Sequence, residues 1–473
     1  MIKYKLDDIK HNNLSDQRNL LVNDAGDFIF LNDQNLARLR GSDLEASEIT
    51  WLEHAGLLIN ESEDFFSTSR LFKKSLRHSP QRKLNYLIII PTLRCNLTCS
   101  YCQVSRANEQ AKGYDWTDEI KNKFIDYVEA NATENVKIEF QGGEPSLRLD
   151  LVTEIVERVK AVKPDASFVI CTNLSNISTE FLNLVNRDDF IISSSLDGPP
   201  EIHKSRRTLD IKNTNQFFDN LDFILSEFGS QKISLLPTIV DYSRINETID
   251  FFYEKELPEI FLRPVNYQGF ARKKFSEESQ DTLSWSLTYF AALDYIANKN
   301  LQGDHQLIET GLSIHLNRIF KQRSHNYVDL RNPNLLGKDY LVVDYDGKFY
   351  PTDESRMLSR IGLIDLSIGN TFDGIDNEKL KVLNLKSSNL DDPVCNQCSY
   401  QPFCGVDNVD RISRYGTIET PTNDTYFCKN HMGIFDYIFK NLANRNEAFL
   451  NIASLCLTGT HGISSIFGGH HFD

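Results

Sequence analysis

Three cysteines spaced Cys95-x3-Cys99-x2-Cys102 follow directly on the apolar run Leu87-Ile88-Ile89-Ile90. Three thiolates this close together can hold three irons of a [4Fe–4S] cube and leave the fourth iron open to a chelating ligand. A zinc site would need a fourth ligand, usually from a second Cys pair or from two histidines. None is at hand, because no Cys or His lies between Cys102 and Cys171. The spacing points to a cluster whose open iron makes it a reagent and not merely an electron carrier.

The surrounding pattern says what such a loop sits on. From Leu84 to about Arg272 apolar strands alternate with amphipathic helices, the strands falling at 85–91, 136–140, 167–172, 190–195, 233–240 and 260–264. Ile120, Phe124, Ile125 and Val128 repeat at helical spacing behind the possible cap Thr117, and Leu151, Ile155, Val156 and Val159 do the same one unit later. Regular βα alternation predicts an α/β fold with a parallel sheet and right-handed crossovers. Six units suggest a partial (β/α)6 TIM-like barrel, with its chemistry at the C-terminal ends of the strands.

The flanks have a different texture. Residues 1–80 contain no Cys and show a β-hairpin, 19–22 and 28–31 around the turn 23–27, then helices at 34–40 and 45–55 and a short apolar stretch at 57–59. After a barrel domain at 81–275, a connector at 276–330 reads as two helices, 281–297 and 305–323. The first carries Leu283, Leu287, Phe290 and Ala291 on one face. Beyond Asn326 the chain turns loop-rich and Cys-rich as far as Cys428, giving a domain at 331–440. A helix at 434–449 and a Gly- and His-rich tail close the segment 441–473. His470 and His471 are metal candidates, although such a tail is more often disordered.

Read together, the motifs carry a resemblance. Cys95-x3-Cys99-x2-Cys102, with Tyr101 before the last Cys, resembles the motif of radical S-adenosylmethionine (radical SAM) enzymes. Gln141-Gly142-Gly143-Glu144-Pro145 then resembles the family segment that meets the methionine amino group, placing Gly142, Gly143, Glu144 and Pro145 there. Ser193-Ser194-Ser195-Leu196-Asp197-Gly198-Pro199, followed by His203 and Arg207, resembles the sulfatase-maturase branch, which implies Ser195 and Arg207 at the SAM carboxylate. Lys204 stands where that branch usually has Asp, and the adjacent Arg206 could compete with Arg207. Cys171-Thr172-Asn173 matches the family's Thr-Asn segment, implying that Thr172 and Asn173 line the nucleoside side, while Cys171 reads as a small buried hydrophobe. The implied reaction is one-electron cleavage of SAM to a 5′-deoxyadenosyl radical that takes hydrogen from a substrate.

Cys395-x2-Cys398-x5-Cys404 and Cys428 form a second group. Four thiolates close either a complete cluster or a structural zinc site. The arrangement resembles the SPASM extension of radical SAM peptide modifiers, which typically carries two auxiliary clusters. The inner cluster's ligand positions fall here on Asn334, Thr352 and Asn408. The resemblance therefore implies two [4Fe–4S] clusters in all, one binding SAM and one auxiliary. Loss of the inner cluster frees space near Tyr350-Pro351-Thr352-Asp353-Glu354, where Asp353 or Glu354 could act as a general base or form only a solvated turn. Cys456 lies outside the pattern and is expected to pack in the tail.

The whole texture is most similar to the radical SAM maturases of His-Xaa-Ser peptide systems. That resemblance implies a ribosomally made precursor peptide, a winged-helix-like peptide-recognition element at 1–80, a second radical SAM maturase and a flavodoxin- or ferredoxin-type electron donor. The product would be an oxidative side-chain modification, most plausibly a cross-link. Formylglycine formation, thioether formation and a non-catalytic iron–sulfur or peptide-binding scaffold are the alternatives. A net charge of −15 speaks against nucleic-acid binding. The chain shows neither a signal-peptide pattern nor an apolar run of about 18–20 residues, so a cytoplasmic protein without membrane contact is expected.

Overall fold

Nine strands share one sheet, in the order Ile233–Leu236, Phe190–Ser195, Ser167–Thr172, Ala132–Gly142, Leu84–Thr92, Tyr340–Val343, Lys348–Tyr350, Gly369–Asn370 and Gly374–Ile375. The first six are parallel to their neighbours and the rest antiparallel. The structure, a computed structural model, describes residues 4–5, 9–15, 18–60, 68–78, 83–275, 282–321, 330–460, 462–463 and 465–472. Residues 281 and 322–323, at the outer ends of the two expected connector helices, lie outside that set, as does the side chain of His471.

Between the parallel strands the helices bury the faces the sequence marks. Asp118–Asn131 buries Ile120, Phe124, Ile125 and Val128 behind Thr117, whose Oγ1 accepts from the Ile120 N–H at 3.2 Å. Leu149–Val162 buries Leu151, Ile155, Val156 and Val159. The fifth and sixth expected strands are each broken in two. Pro237 has no N–H for the ladder, so the fifth divides into Ile233–Leu236 and Thr238–Ile239. Thr238–Ile239 pairs with Arg263–Pro264, while Glu259–Ile260 pairs with Ile308–Glu309.

Two expectations are corrected. The region after Asn326 is not simply loop-rich, because Tyr340–Val343 lies fully buried beside Tyr86–Ile89 and ties the C-terminal region to the first parallel strand. Four residues between turns give too short a run to show a period, although a continuous apolar stretch is what a strand covered on both faces needs. In the helix Thr282–Gln302 the buried face is Trp285, Tyr289, Ala292, Leu293 and Ile296. Leu283 and Leu287 instead stand 67% and 61% exposed. The helix carries two apolar stripes, and the aromatic one docks, Trp285 meeting Tyr242 at 5.4 Å.

The N-terminal hairpin forms as expected and gains a third strand, in the order Lys10–Ser15, Arg18–Val22, Phe28–Asn32. Asn23 Oδ1 builds the turn by accepting from the N–H groups of Ala25 and Asp27, both at 2.9 Å. The described tail is ordered: His471–Phe472 adds to Phe28–Asn32 as a fourth, parallel strand. His470 stacks on Phe28 at 4.2 Å, and its Nδ1 lies 3.1 Å from the Phe28 carbonyl, which engages this ring within the fold. Phe28 also meets Phe320, Phe403 and Phe439 edge-on, so one aromatic cluster joins the two ends of the chain to the Cys-rich region. Arg77 reinforces the joint, donating to the carbonyls of Ala25, Arg318 and Ile319 at 2.7, 2.6 and 3.0 Å. Phe28→Ala is expected to cost about 3–5 kcal/mol in denaturant unfolding, and limited proteolysis should then cut first in the N-terminal sheet or the tail.

Candidate cluster and cofactor site

The Cys95 loop leaves the first parallel strand at Thr92 and is pinned at once by the strand beside it. A Cβ on Gly143 would lie 2.1 Å from the Arg94 carbonyl oxygen and 2.4 Å from that of Leu93. One on Gly142, where φ is +123°, would lie 2.4 Å from Thr92 O. Only glycine permits this crossing. In return the Gly143 N–H donates to Thr92 O at 3.0 Å and the Glu144 N–H to Arg94 O at 2.8 Å. The two glycines thus bring backbone against the chain's own cysteine loop.

Glu144 is buried and ties three segments together. Its Oε1 accepts from Thr172 Oγ1 at 2.7 Å and from the Ser146 N–H at 3.1 Å, and its Oε2 accepts from the Asn173 N–H at 2.7 Å. Burial pushes its carboxyl upward, and these donors pull the other way. Asn173 Nδ2 then donates to Asn96 Oδ1 at 2.8 Å, inside the cysteine loop. Pro145 opens the short helical turn that follows.

The opposite wall comes from the fourth strand and the segment after it. Tyr101 donates to Asp197 Oδ2 at 2.6 Å, and Arg207 Nη1 donates to Tyr101 Oη at 2.9 Å. Asp197 Oδ1 accepts from the Thr238 N–H at 3.2 Å. A wide π-helical turn over Lys204–Thr208 aims Arg207 here and ends with Leu209 at φ 63°. Arg206 contributes its carbonyl, which accepts from the Ser100 N–H at 2.8 Å. Ser195 ends its strand beside Leu236. His203 is buried and stacks on Phe217 at 4.1 Å, a packing role. Cys171 Sγ donates to Glu139 Oε1 at 3.2 Å, and burial raises its thiol further. On the far side the Ala271 N–H donates to Cys102 O at 3.2 Å, and Gly269 lies so close to Gln103 O that a Cβ would stand 1.6 Å from it. The loop is therefore held from several sides.

Burial pushes the Cys95 thiol up to about 12, with Glu144, Cys99 and Cys102 adding to the effect. Cys99 is also raised by burial, against which the Arg207 charge works. Thiols packed this way give up their protons to a bound cation, which is the chemistry of a metal-cluster donor set. Among the described residues no three His, Cys, Asp or Glu side chains stand close enough to clasp one metal ion. The thiolates around one tetrahedral zinc stand roughly 3.8 Å apart, from Zn–S bonds of about 2.3 Å. A cubane, with its irons at separate corners, needs a wider set.

The second thiol set lies in the Cys-rich region. Cys395, Cys398 and Cys404 lie on tight turns, and Cys428 sits in the first turn of Tyr426–Ala443, its N–H donating to the capping Thr425 Oγ1 at 3.2 Å. Burial is the main cause that raises Cys404, and the charges of Cys398, Cys428 and Cys395 add to it. Burial likewise takes Cys395 up to about 12 and Cys428 up to about 11. Lys10 of the N-terminal sheet reaches this group, and its charge works against the rise at Cys398. Cys456 is buried in the helix Glu447–Thr458.

The three non-thiolate positions are engaged elsewhere. Asn334 Nδ2 donates to Val406 O at 2.7 Å, Asn408 Nδ2 donates to Leu385 O at 2.7 Å, and Thr352 Oγ1 accepts from the Ser355 N–H at 3.1 Å as a helix cap. The two candidate carboxylates part company. Asp353 accepts from Arg356 Nε at 2.9 Å, whereas Glu354 borders a cavity of about 250 Å³ beside Val265 and Gln268. Arg356, which is 1% exposed, also donates to Val104 O at 3.5 Å and so links the Cys-rich region to the cysteine loop. Its role and that of Asp197 escape sequence reasoning, although Asp197 lies inside a recognised segment. Gly143→Ala should push the cysteine loop off its neighbour. Hydrogen exchange by mass spectrometry is expected to rise over residues 93–107 while the parallel strands keep their protection.

Residues 89–251 match the model of the radical SAM superfamily. A cysteine-type anaerobic sulfatase-maturating enzyme of Clostridium novyi (strain NT) is 24% identical over 413 residues, 77% of this chain and 100% of that protein. Among solved structures, His-tagged anSMEcpe with bound AdoMet superposes with a TM-score of 0.59 at 19% identity, covering 76% of this chain and 98% of that one. Streptococcus suis SuiB bound to its precursor peptide SuiA gives 0.50 at 14% identity over 88% of this chain and 97% of its own. At such identities these two likenesses are likenesses of fold. Among the described residues no helix is long and apolar enough to cross a membrane. The matched segment contains the first thiol triplet, the glycine crossing and Arg207, so this chain carries a radical SAM domain and is an enzyme.

Proposed function

We propose that this enzyme is a peptide maturase that holds two [4Fe–4S] clusters and SAM and oxidatively modifies a ribosomally made precursor peptide, cross-linking side chains within His-Xaa-Ser repeats. One observation carries the reading. Three half-buried thiols share a loop braced by Gly143, Glu144, Asn173 and Arg207, while a separate quartet lies in the Cys-rich region. When bound, the cluster and SAM supply a 5′-deoxyadenosyl radical able to take hydrogen from an unactivated C–H bond.

The protein's part is to hold and shield. Cys95, Cys99 and Cys102 ligate the first cluster and leave one iron to SAM. Gly142, Gly143, Glu144 and Pro145 meet the methionine amino end. Glu144 Oε2 accepts a single bond, from the Asn173 N–H, and has a lone pair for one further donor. Ser195 and Arg207 take the carboxylate, and Thr172 and Asn173 line the nucleoside side. Cys395, Cys398, Cys404 and Cys428 would hold the auxiliary cluster, a group that would supply one-electron redox chemistry. Of the two candidate bases, Glu354 is favoured, because it lines the cavity beside Val265. A flavodoxin- or ferredoxin-type donor and a second radical SAM maturase complete the proposed cytoplasmic system.

Two relatives support a peptide or protein substrate: one is a sulfatase-maturating enzyme, and SuiB was solved with its precursor peptide. The full-length match to the former also favours a second reading, formylglycine formation on a sulfatase. Anaerobic co-expression with the precursor peptide encoded nearby, followed by tandem mass spectrometry, separates the two. Cross-linking is expected to remove two hydrogens per event, with 5′-deoxyadenosine formed alongside. Cys99→Ala should abolish both, whereas Cys398→Ala should keep 5′-deoxyadenosine and lose the cross-link. Gain of oxygen on the precursor would overturn cross-linking, and conversion of a sulfatase cysteine with loss of its sulfur would establish the second reading.

A further inference from the structure

The cavity that Glu354 borders is also walled by Trp285, Phe427, His431 and Asp410. It abuts the cysteine loop, since Val265 on its wall packs against Tyr101. At about 250 Å³ it suits a side chain and falls below the ~300 Å³ at which pockets for drug-sized ligands begin.

Arg263 and Arg414 supply donors to its lining, and two acceptors there have an assignable sense. A carbonyl can only accept, so the 2.7 Å contact between His315 Nδ1 and Gly311 O places a proton on Nδ1. Burial lowers His315 to about 4, which keeps the ring neutral and leaves its Nε2 a bare acceptor. The 3.0 Å contact from that Nε2 to His431 Nδ1 therefore requires the proton on His431 Nδ1. Burial holds His431 neutral as well, so its own Nε2 carries only a lone pair. His431 is 8% exposed. Among the described residues its Nε2 has no hydrogen-bond partner.

A second acceptor is also unmatched. Asp410 Oδ1 takes a bond from Arg414 Nε at 2.6 Å, while the buried Oδ2 has no partner. Arg414, itself on the cavity wall, lies over the Tyr426 ring, 3.7 Å from its centroid. A buried carboxylate oxygen left without a donor is costly, and a charged donor satisfies it best. The aromatic wall suits the alkyl stem or planar head of such a group.

We propose that this cavity is a substrate pocket for a basic side chain, Lys or Arg, whose N–H groups are received by His431 Nε2 and Asp410 Oδ2. The proposal rests on the peptide-modifying reading and adds to it a residue class that the substrate must present near the modified position.

The test uses the full chain as purified anaerobically, with n-butylammonium and n-butylguanidinium as probes and 1-pentanol as the uncharged control. Binding is followed by Trp285 fluorescence, with Trp285→Phe as the blank. At least one cation should bind saturably and at least about tenfold more tightly than the alcohol. Asp410→Asn should remove that preference. His431→Asn should do the same, because its amide can still reach His315 while nothing replaces Nε2. Pentanol binding should survive both changes, with melting temperatures showing that the variants fold. If His431→Asn fails to fold, Asp410→Asn decides alone. Equal binding of alcohol and both cations, or a preference that survives Asp410→Asn, would overturn the pocket. Probe binding as expected with no modified precursor would sink the peptide reading and leave the pocket standing. A precursor modified equally well after its Lys and Arg residues become norleucine would do the reverse.

Discussion

Two backbone segments cross where Gly143 lies against the carbonyls of Leu93 and Arg94, and the rest of the site depends on that crossing. The first thiol triplet belongs to one segment and Glu144 to the other. With no side chain between them, the two can exchange hydrogen bonds directly. Glu144 is then close enough to Thr172 and Asn173 to fasten a third strand end, and Asn173 returns to the loop at Asn96. One steric permission thus sets the relative position of three segments that are far apart in the chain.

Electrostatics makes the same loop fit for a metal cluster. Burial makes the Cys95 and Cys99 thiolates expensive until a cation is bound, and Arg207 offers only partial relief at Cys99. The quartet repeats the logic, with Lys10 as its nearby cation. That lysine arrives through packing of the N-terminal sheet on Phe403 and Phe439 around Phe28. The environment of these thiols is therefore shared between the strand Lys10–Ser15 and the C-terminal region.

Local patterns were legible where one element decides its own burial. Ile120, Phe124, Ile125 and Val128 lie on one helical stripe, and that stripe is buried. Legibility failed where two surfaces competed. The helix Thr282–Gln302 offers two apolar stripes, and the choice between them rested on Tyr242, a partner far away in sequence. Tyr340–Val343 is a strand because an edge of the first strand was free to receive it. Among the described tail residues His470 is held because Phe28 presents a face for its ring. The carboxylates of Asp353 and Glu354 are adjacent in the chain, yet helical geometry sends one to Arg356 and the other to a cavity.

The amino-acid sequence by itself determined the donor sets, the glycines and the alternation of strand and helix, because ligand type, backbone freedom and periodicity are properties of residues and short spacings. Tertiary structure decided what those residues face. The Tyr101–Asp197 bond, the Arg356 bridge to Val104 and the relay from Gly311 through His315 to His431 join positions separated by many residues. Which nitrogen of His431 is left bare follows from a carbonyl more than a hundred positions away, since a hydrogen bond assigns its proton only when both partners are in place.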